Sequence, residues 1–341
     1  MKAAFFSFTD CGGLLKSRLA EWFLRDGHEI FEPPHCKSLK ESAGLAFSGA
    51  DALFFIGAAG IAVRTVAPFI RSKTSDPAVI VVDELGKWVI PILGGHIGGG
   101  NDLAREAAKF LGGEAVITTA TDIHGVFAVD TWAKAENLAI SSMEAAKGIS
   151  AALLRGSPVC LQSDYPIEGC PPHGIVYRGG GTADIIVSMK RTEAADGVLR
   201  LIPRRVYAGI GCRRGAGAEL IAEIFDHALL KLGLDPRCIA GAASIDLKKT
   251  EKGLSRFCER LGVSCAFFEA EELRRVEGNF SASRFVEDVT GVDNVCERAA
   301  VLASENGELL LKKTARDGVT IALAVKEAAL RFPPGNGLLQ Q

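Results

Sequence analysis

Two stretches of strand length, Ala52-Leu-Phe-Phe-Ile56 and Val79-Ile-Val-Val82, are apolar at every position. A strand with one solvated face alternates apolar and polar residues, so a strand without alternation must be covered on both faces. Helix-like sequence lies around these runs. Lys2–Phe8 reads as a further buried strand, followed by a turn at Gly12-Gly13 and an amphipathic helix from about Leu14 to Asp26. A short strand at Glu29–Phe31 and a helix at Lys37–Ala46 follow, and Gly57-Ala-Ala-Gly60 opens a helix that carries Arg64. This order predicts an α/β fold whose N-terminal domain is a parallel sheet between two helical layers.

A chain of 341 residues is too long for one small core, so two or three domains are expected. Lys plus Arg number 39 against 41 for Asp plus Glu. This balance gives no global electrostatic reason for nucleic acid or an anionic membrane as partner, and an anionic ligand must be met by local basic groups. Met1–Asp10 is too short an apolar run for a secretory signal and no stretch approaches a membrane span, which predicts a cytoplasmic protein. The nine cysteines are odd in number, form no C-x-x-C pair and read as reduced, mostly buried thiols. The six histidines lack paired ligand spacing, so no metal held by the protein is expected.

The apolar run Trp88–Leu93 leads into Gly94-Gly-His-Ile-Gly-Gly-Gly100, and an Ala/Leu-rich helix pattern follows over Asn101–Leu111. Glycine suits a backbone that approaches something closely or takes positive φ, at an entropic cost, so five in seven positions need a reason. With Asn101 as N-cap, the amides of Gly98–Gly100 and the helix dipole would face an anion or oxyanion. His96 can take and give a proton near neutral pH. A plain tight turn, with His96 bonded to a carbonyl, is the competing reading. Further on, Ala115–Asp130 is a strand running into a polar loop with Thr118, Thr119, Thr121, Asp122 and His124. The two loops could line one crevice, with Asp122 and His124 as base and orienting partner or Asp122 as a simple turn cap.

From Trp132 to about Met189 the texture changes to short helices near Ala133 and Ala145, strands at Pro158–Ser163 and Gly174–Gly181, and several prolines. The polar run Lys190–Gly197 suits a linker. The expected parts are 1–131, a small middle α/β segment 132–198, a C-terminal α/β domain 199–330 and a flexible tail 331–341. The last domain opens with a strand entering Gly209-Ile-Gly-Cys-Arg-Arg-Gly215. Its glycine spacing departs from the dinucleotide fingerprint and the expected acidic partner is out of place, which disfavours a nucleotide. Arg213 and Arg214 instead suit a carboxylate or phosphate, or are two solvated arginines. A later strand ends in Ser244, Asp246 and Lys248, and Glu297 is an acid in the apolar stretch Asn294–Leu302.

Five motifs in order, Gly94–Ala104, Thr121–Asp130, Gly209–Gly215, Ser244–Leu254 and Val295–Ala300, resemble the cobalt-precorrin-5A hydrolase (CbiG) family of anaerobic cobalamin biosynthesis. The chain departs from the family pattern at Gly100, usually Ala, and at Asn294, usually Ser. The resemblance implies three parts and a substrate, a cobalt macrocycle fringed with acetates and propionates and bearing a δ-lactone. Lactone opening and loss of acetaldehyde would give cobalt-precorrin-5B. No cofactor held by the protein is then expected, since cobalt arrives with the substrate. Beyond this corrinoid, neighbouring pathway enzymes are candidate partners.

Lactone hydrolysis needs an activated water and oxyanion donors. His96 is the candidate base, with Asp122 or His124 as proton donor for the carbon–carbon cleavage that follows. Candidate substrate contacts are Gly95, Gly98, Gly99, Gly100 and Asn101 in the first part, with Arg64 as a clamp. In the last part they are Arg213, Arg214, Ser244, Asp246, Lys248 and Glu297. A non-catalytic tetrapyrrole carrier, or an enzyme of phosphate ligands, is the alternative.

Overall fold

The computed structural model describes residues 1–34, 36, 38–72, 75–95, 98–123, 125–177, 182–192 and 197–333. The chain forms two compact units. Met1–Lys134 with Leu153–Gly156 makes the first, and Ala135–Ala152 with the described residues from Ser157 onward makes the second.

In the first unit the order is β1 (Lys2–Ser7), α1 (Asp10–Arg25), β2 (Glu29–Ile30), α2 (Leu39–Gly49), β3 (Ala52–Ile56), α3 (Ala59–Val66), β4 (Ala78–Val82), β5 (Trp88–Leu93), α4 (Gly100–Leu111), β6 (Glu114–Ala115) and α5 (Ala120–Ile123). The six strands form one sheet in the order β2-β1-β3-β4-β5-β6. The continuous apolar strands do sit between two layers. Ala3, Phe54, Ile56, Ile80 and Val82 pack against Leu15, Leu19 and Phe23 of α1 and Leu103, Ala104 and Ala107 of α4. The alternate residues Ala4, Phe6, Leu53, Phe55, Val79 and Val81 meet α2 and α3 through Ala43, Phe47, Ala62 and Val66. Phe23, Phe54 and Phe55 are fully buried, and each such side chain stabilises by roughly 1.5–3 kcal/mol.

The sheet is not wholly parallel. β1 to β4 are parallel, β5 runs antiparallel to β4, and β6 is parallel to β5. The reason is the short turn Asp83–Gly86, which returns the chain directly, whereas a parallel neighbour needs a crossover. Asp83 secures this turn by accepting from the amides of Leu85 and Trp88. The reversal places the carboxyl end of β5 beside Ala78 at the amino end of β4.

A further helix, α6 (Val129–Ala135), precedes the second unit, which holds two five-stranded sheets. The first comprises β7 (Leu138–Ile140), β8 (Val159–Ser163), β10 (Ile175–Tyr177), β11 (Ile185–Val187) and β12 (Leu199–Pro203), with α7 (Met143–Leu154) between β7 and β8 and the short β9 (Ile167–Glu168) after β8. β11 and β12 pair in parallel, so the polar run 190–197 connects two strands of one sheet, and the change of sheet falls after Pro203. The second sheet is formed by β13 (Val206–Cys212), β14 (Ile239–Ile245), β15 (Cys265–Phe268), β16 (Glu308–Arg316) and β17 (Val319–Val325), with α8 (Ala218–Leu232) between β13 and β14, α9 (Lys252–Leu261) between β14 and β15, and α10 (Ala270–Arg275), α11 (Arg284–Thr290) and α12 (Cys296–Ala303) between β15 and β16. Its order is β15-β14-β13-β17-β16, and β18 (Leu330–Arg331) returns to pair with β9.

The two sheets of this unit share a core: Ala139, Met189 and Ile202 pack with residues of α8, α9 and β13. Arg200 and Arg205 bind across the same region. Arg200 donates to Asp235 at 3.2 Å and to the Lys190 carbonyl, while Arg205 donates to the Ala328 carbonyl and lies over the Tyr165 ring. All nine cysteines are free, but only Cys238, Cys258 and Cys296 are buried, fewer than expected. Among the described residues no helix is long and apolar enough to cross a membrane.

Candidate functional site

The glycine turn of the first unit is built by close packing. Gly94 has φ +66° and a Cβ there would stand 2.9 Å from Ala78 Cα, while a Cβ on Gly98 would overlap the Gly94 carbonyl oxygen. The turn therefore folds on itself and on the start of β4 in a way that only glycine permits. Gly99, with φ +75°, is the residue before α4. This corrects the expectation that Asn101 is the N-cap. One of the amides expected to face a ligand is also engaged, since Gly100 N–H donates to Gly94 O at 3.0 Å, and the next amide, Asn101 N–H, donates to Gly95 O at 2.9 Å. Gly100 therefore does not supply an oxyanion donor.

Asn101 is buried one residue inside the helix and joins the two loops. Its Nδ2 donates to Asp122 Oδ2 at 2.9 Å and to Thr119 Oγ1 at 3.2 Å. Arg105, one turn further along α4, donates through Nη2 to Asp122 Oδ1 at 2.6 Å and through Nη1 to Asp102 Oδ1 at 2.7 Å. Burial alone would lower the Arg105 pKa, but the bonds and charges of Asp122 and Asp102 outweigh it and raise it. Because β5 and β6 are parallel, both loops leave carboxyl ends at one edge of the sheet, which is why they meet. Both Asp122 oxygens are already acceptors, so this side chain is engaged in anchoring its loop to α4. His96 and His124 lie outside the described residues.

Arg64 is not part of this meeting. It is exposed on α3, and its Nη atoms lie over Gly60 in the first turn of that helix, about 3.4 Å from where a Cβ would stand. That turn follows the carboxyl end of β3, and the antiparallel β5 puts the glycine turn at the other edge of the sheet.

In the second unit, the carboxyl ends of the parallel β13, β14 and β15 share one edge. Arg213 and Arg214 are exposed there, with Arg213 lying over Gly318 of the β16–β17 turn. Asp246 and Lys248 follow β14. Lys248 Nζ lies 3.7 Å from Glu251 Oε1, and Glu251 Oε2 accepts from Gly215 N–H at 2.9 Å, tying the arginine loop to the β14 loop. Burial pushes the nearby Cys212 thiol up.

Two expected contacts are instead internal braces. Ser244 is fully buried and donates to Ile210 O at 2.6 Å. Glu297 is fully buried and accepts from Ser281 N–H and Oγ at 2.8 Å each and from Lys313 N–H at 2.6 Å. Asn294 supports it, its Oδ1 accepting from Glu297 N–H at 2.9 Å, which is a capping role that serine also fills. Gly209 of the fingerprint-like motif has a packing cause, since a Cβ there would overlap the Cys296 carbonyl oxygen of α12, whereas Gly215 has open space and a positive φ of +73°. Arg105 and Glu251 were not found from sequence. Arg105 stands four residues after Asn101 on a predicted helix, a legible spacing, whereas nothing in sequence links Glu251 to Gly215.

Three family descriptions match the chain in succession: "Cobalamin synthesis G N-terminal" over residues 42–122, "Cobalamin biosynthesis central region" over 127–203 and "Cobalamin synthesis G C-terminus" over 206–324. A cobalt-precorrin-5A hydrolase of Salmonella typhimurium is 39% identical over 297 residues, covering 83% of this chain and 84% of that protein. A cobalt-precorrin-5A hydrolase of Priestia megaterium is 31% identical, covering 82% and 79%. The crystal structure of CobE, a protein from the cobalamin biosynthetic pathway, is 34% identical with a TM-score of 0.35, covering 36% of this chain and 92% of that one.

Proposed function

This chain belongs to the CbiG family of cobalamin-biosynthesis proteins, and on that premise we propose that it is a cobalt-precorrin-5A hydrolase. The reaction opens the δ-lactone of the cobalt corrinoid and releases acetaldehyde. The observation that carries this reading is the junction of the glycine turn with the Asp122 loop through Asn101, which brings two sequence motifs of the family to one edge of one sheet.

In this mechanism His96 activates water against the lactone carbonyl, and the amides of Gly98 and Gly99 are the candidate donors to the oxyanion. Such donors are worth roughly 2.7–4 kcal/mol each. Collapse of the tetrahedral intermediate leaves a carboxylate and an alkoxide. The alkoxide then becomes the acetaldehyde carbonyl as the adjacent carbon–carbon bond breaks, and the conjugated macrocycle takes up the electron pair. A proton completes the product. With both Asp122 oxygens engaged, His124 is the donor. The exposed Arg213 and Arg214, with Lys248 behind them, are candidate partners for substrate carboxylates.

Incubation with cobalt-precorrin-5A tests this, following acetaldehyde with a coupled dehydrogenase and the corrinoid by mass. Acetaldehyde from the wild type, and none from His96→Ala with binding retained, supports the hydrolase. Corrinoid binding without acetaldehyde from either protein supports a carrier instead.

A further inference from the structure

We propose that Arg105 is a positioning residue for lactone opening, holding the Asp122 loop against the glycine turn; this rests on the hydrolase reading above. Residues 116–119 have no regular structure, and 120–123 form only the single turn of α5. β6 is two residues long, α5 is four, and among the described residues the further backbone ties are Val116 N–H to Val89 O, Ile123 N–H to Thr119 O, Gly125 N–H to Asp122 O and Val126 N–H to Thr121 O. Only the first of these leaves the loop, so the side chains that reach it from α4 help to place it.

Asn101 and Arg105 supply that reach. Four residues apart, they share one face of α4 and close on the two oxygens of one carboxylate, at 2.9 and 2.6 Å. Asn101 also connects back to the glycine turn, since its N–H is held by Gly95 O and its Oδ1 lies against Gly95. A continuous path thus runs from Gly95 through Asn101 to Asp122, the residue two before His124 in sequence. Arg105 closes it from the second side. Its guanidinium is oriented at its other end by Asp102, so the fork spans two carboxylates, Asp102 and Asp122. Without it two acids would face each other with no counter-charge from this residue. A lysine restores the charge but not the two-ended geometry.

Displacement of a reacting group by about 1 Å can cost about 100-fold in rate. Arg105→Ala is therefore expected to lower kcat for acetaldehyde release by about 100-fold with KM within about 2-fold of the wild type, because substrate binding is not its task. Arg105→Lys should recover part of the loss, and guanidinium added to Arg105→Ala should restore turnover saturably. Arg105→Ala combined with Asp122→Asn should lose no more than the worse single variant, since both break one path. Circular dichroism of each variant separates this from unfolding. The role is overturned if Arg105→Ala turns over like the wild type, if its loss follows the unfolded fraction, or if guanidinium gives no rescue and the two losses multiply. A wild type that releases no acetaldehyde overturns the hydrolase reading and this role with it, whereas an active wild type with an unaffected Arg105→Ala overturns the role alone.

Discussion

Ser281 donates twice to Glu297, once through its backbone N–H and once through its hydroxyl, each at 2.8 Å. Lys313 N–H adds a third bond at 2.6 Å, so one fully buried carboxylate pins both the segment before α11 and the irregular stretch of β16. Glu297→Ala leaves these donors without their acceptor, at about 1–3 kcal/mol for each that stays dry, and is expected to destabilise by roughly 3–5 kcal/mol. Ser281→Ala should cost about 1 kcal/mol, because only the hydroxyl is removed. Denaturant unfolding of the whole chain measures both. A Glu297→Ala protein of unchanged stability with weakened corrinoid binding would return Glu297 to the substrate contacts that the sequence suggested.

The layers were legible because Ala52–Ile56 and Val79–Val82 need cover on both faces, and they have it. The direction of β5 was not, since the apolar run Trp88–Leu93 reads the same in either sense and only the length of the turn before it distinguishes them. That reversal is also what separates Arg64 from the glycine turn, two basic-site features that sequence order alone placed together. Glycine density at 94–100 was a sound signal of close backbone approach, but much of the approach is of the turn to itself and to Ala78. Ser244 and Glu297 misled for a general reason: a polar residue near a motif is equally well explained by a buried bond, and the partners, Ile210 and Ser281, are distant or unmarked in sequence.

Substitutions of glycine by alanine should separate packing from permissiveness. Gly98→Ala places a Cβ onto the Gly94 carbonyl oxygen, so the turn must open. Its acetaldehyde release is expected to fall at least about 100-fold, the scale of an angstrom displacement. Gly13→Ala is the contrast. It lies inside α1 with open space around a Cβ, and should stabilise by roughly 0.5–1 kcal/mol, with turnover unchanged. Thermal melts and turnover of the two proteins side by side check the pair.

Asp235 sets an acid limit on the second unit. Burial alone would raise its pKa, but hydrogen bonds from the Arg237 side chain and backbone, and the charges of Arg237 and Arg200, hold it below its ordinary value of 3.8. A depressed carboxylate contributes stability that is fully present above the unfolded-state value and is lost as pH falls through the lower folded-state value. Asp235→Asn should therefore melt below the wild type at pH 7, and the gap should close as pH falls beneath about 3.8. A gap that is the same at pH 7 and pH 2.5 would mean that shape and hydrogen bonding, not charge, explain the loss.

Arg213 and Arg214 stand exposed on a loop fixed from beneath by Glu251 and Gly318, so they can be removed with little disturbance to the sheet. A charge-assisted hydrogen bond is worth about 1.5–3 kcal/mol, so each arginine that grips a substrate carboxylate should raise KM at least about 10-fold on replacement by alanine. Such a clamp binds ground state and transition state alike, so kcat should hold. The wild-type KM should rise with ionic strength, and the double variant should lose most of that dependence. Initial rates of acetaldehyde release at two salt concentrations give both quantities. Should kcat fall while KM holds, the arginines would be stabilising charge that develops during the reaction, and this edge of the second unit would belong to the chemistry and not merely to recognition.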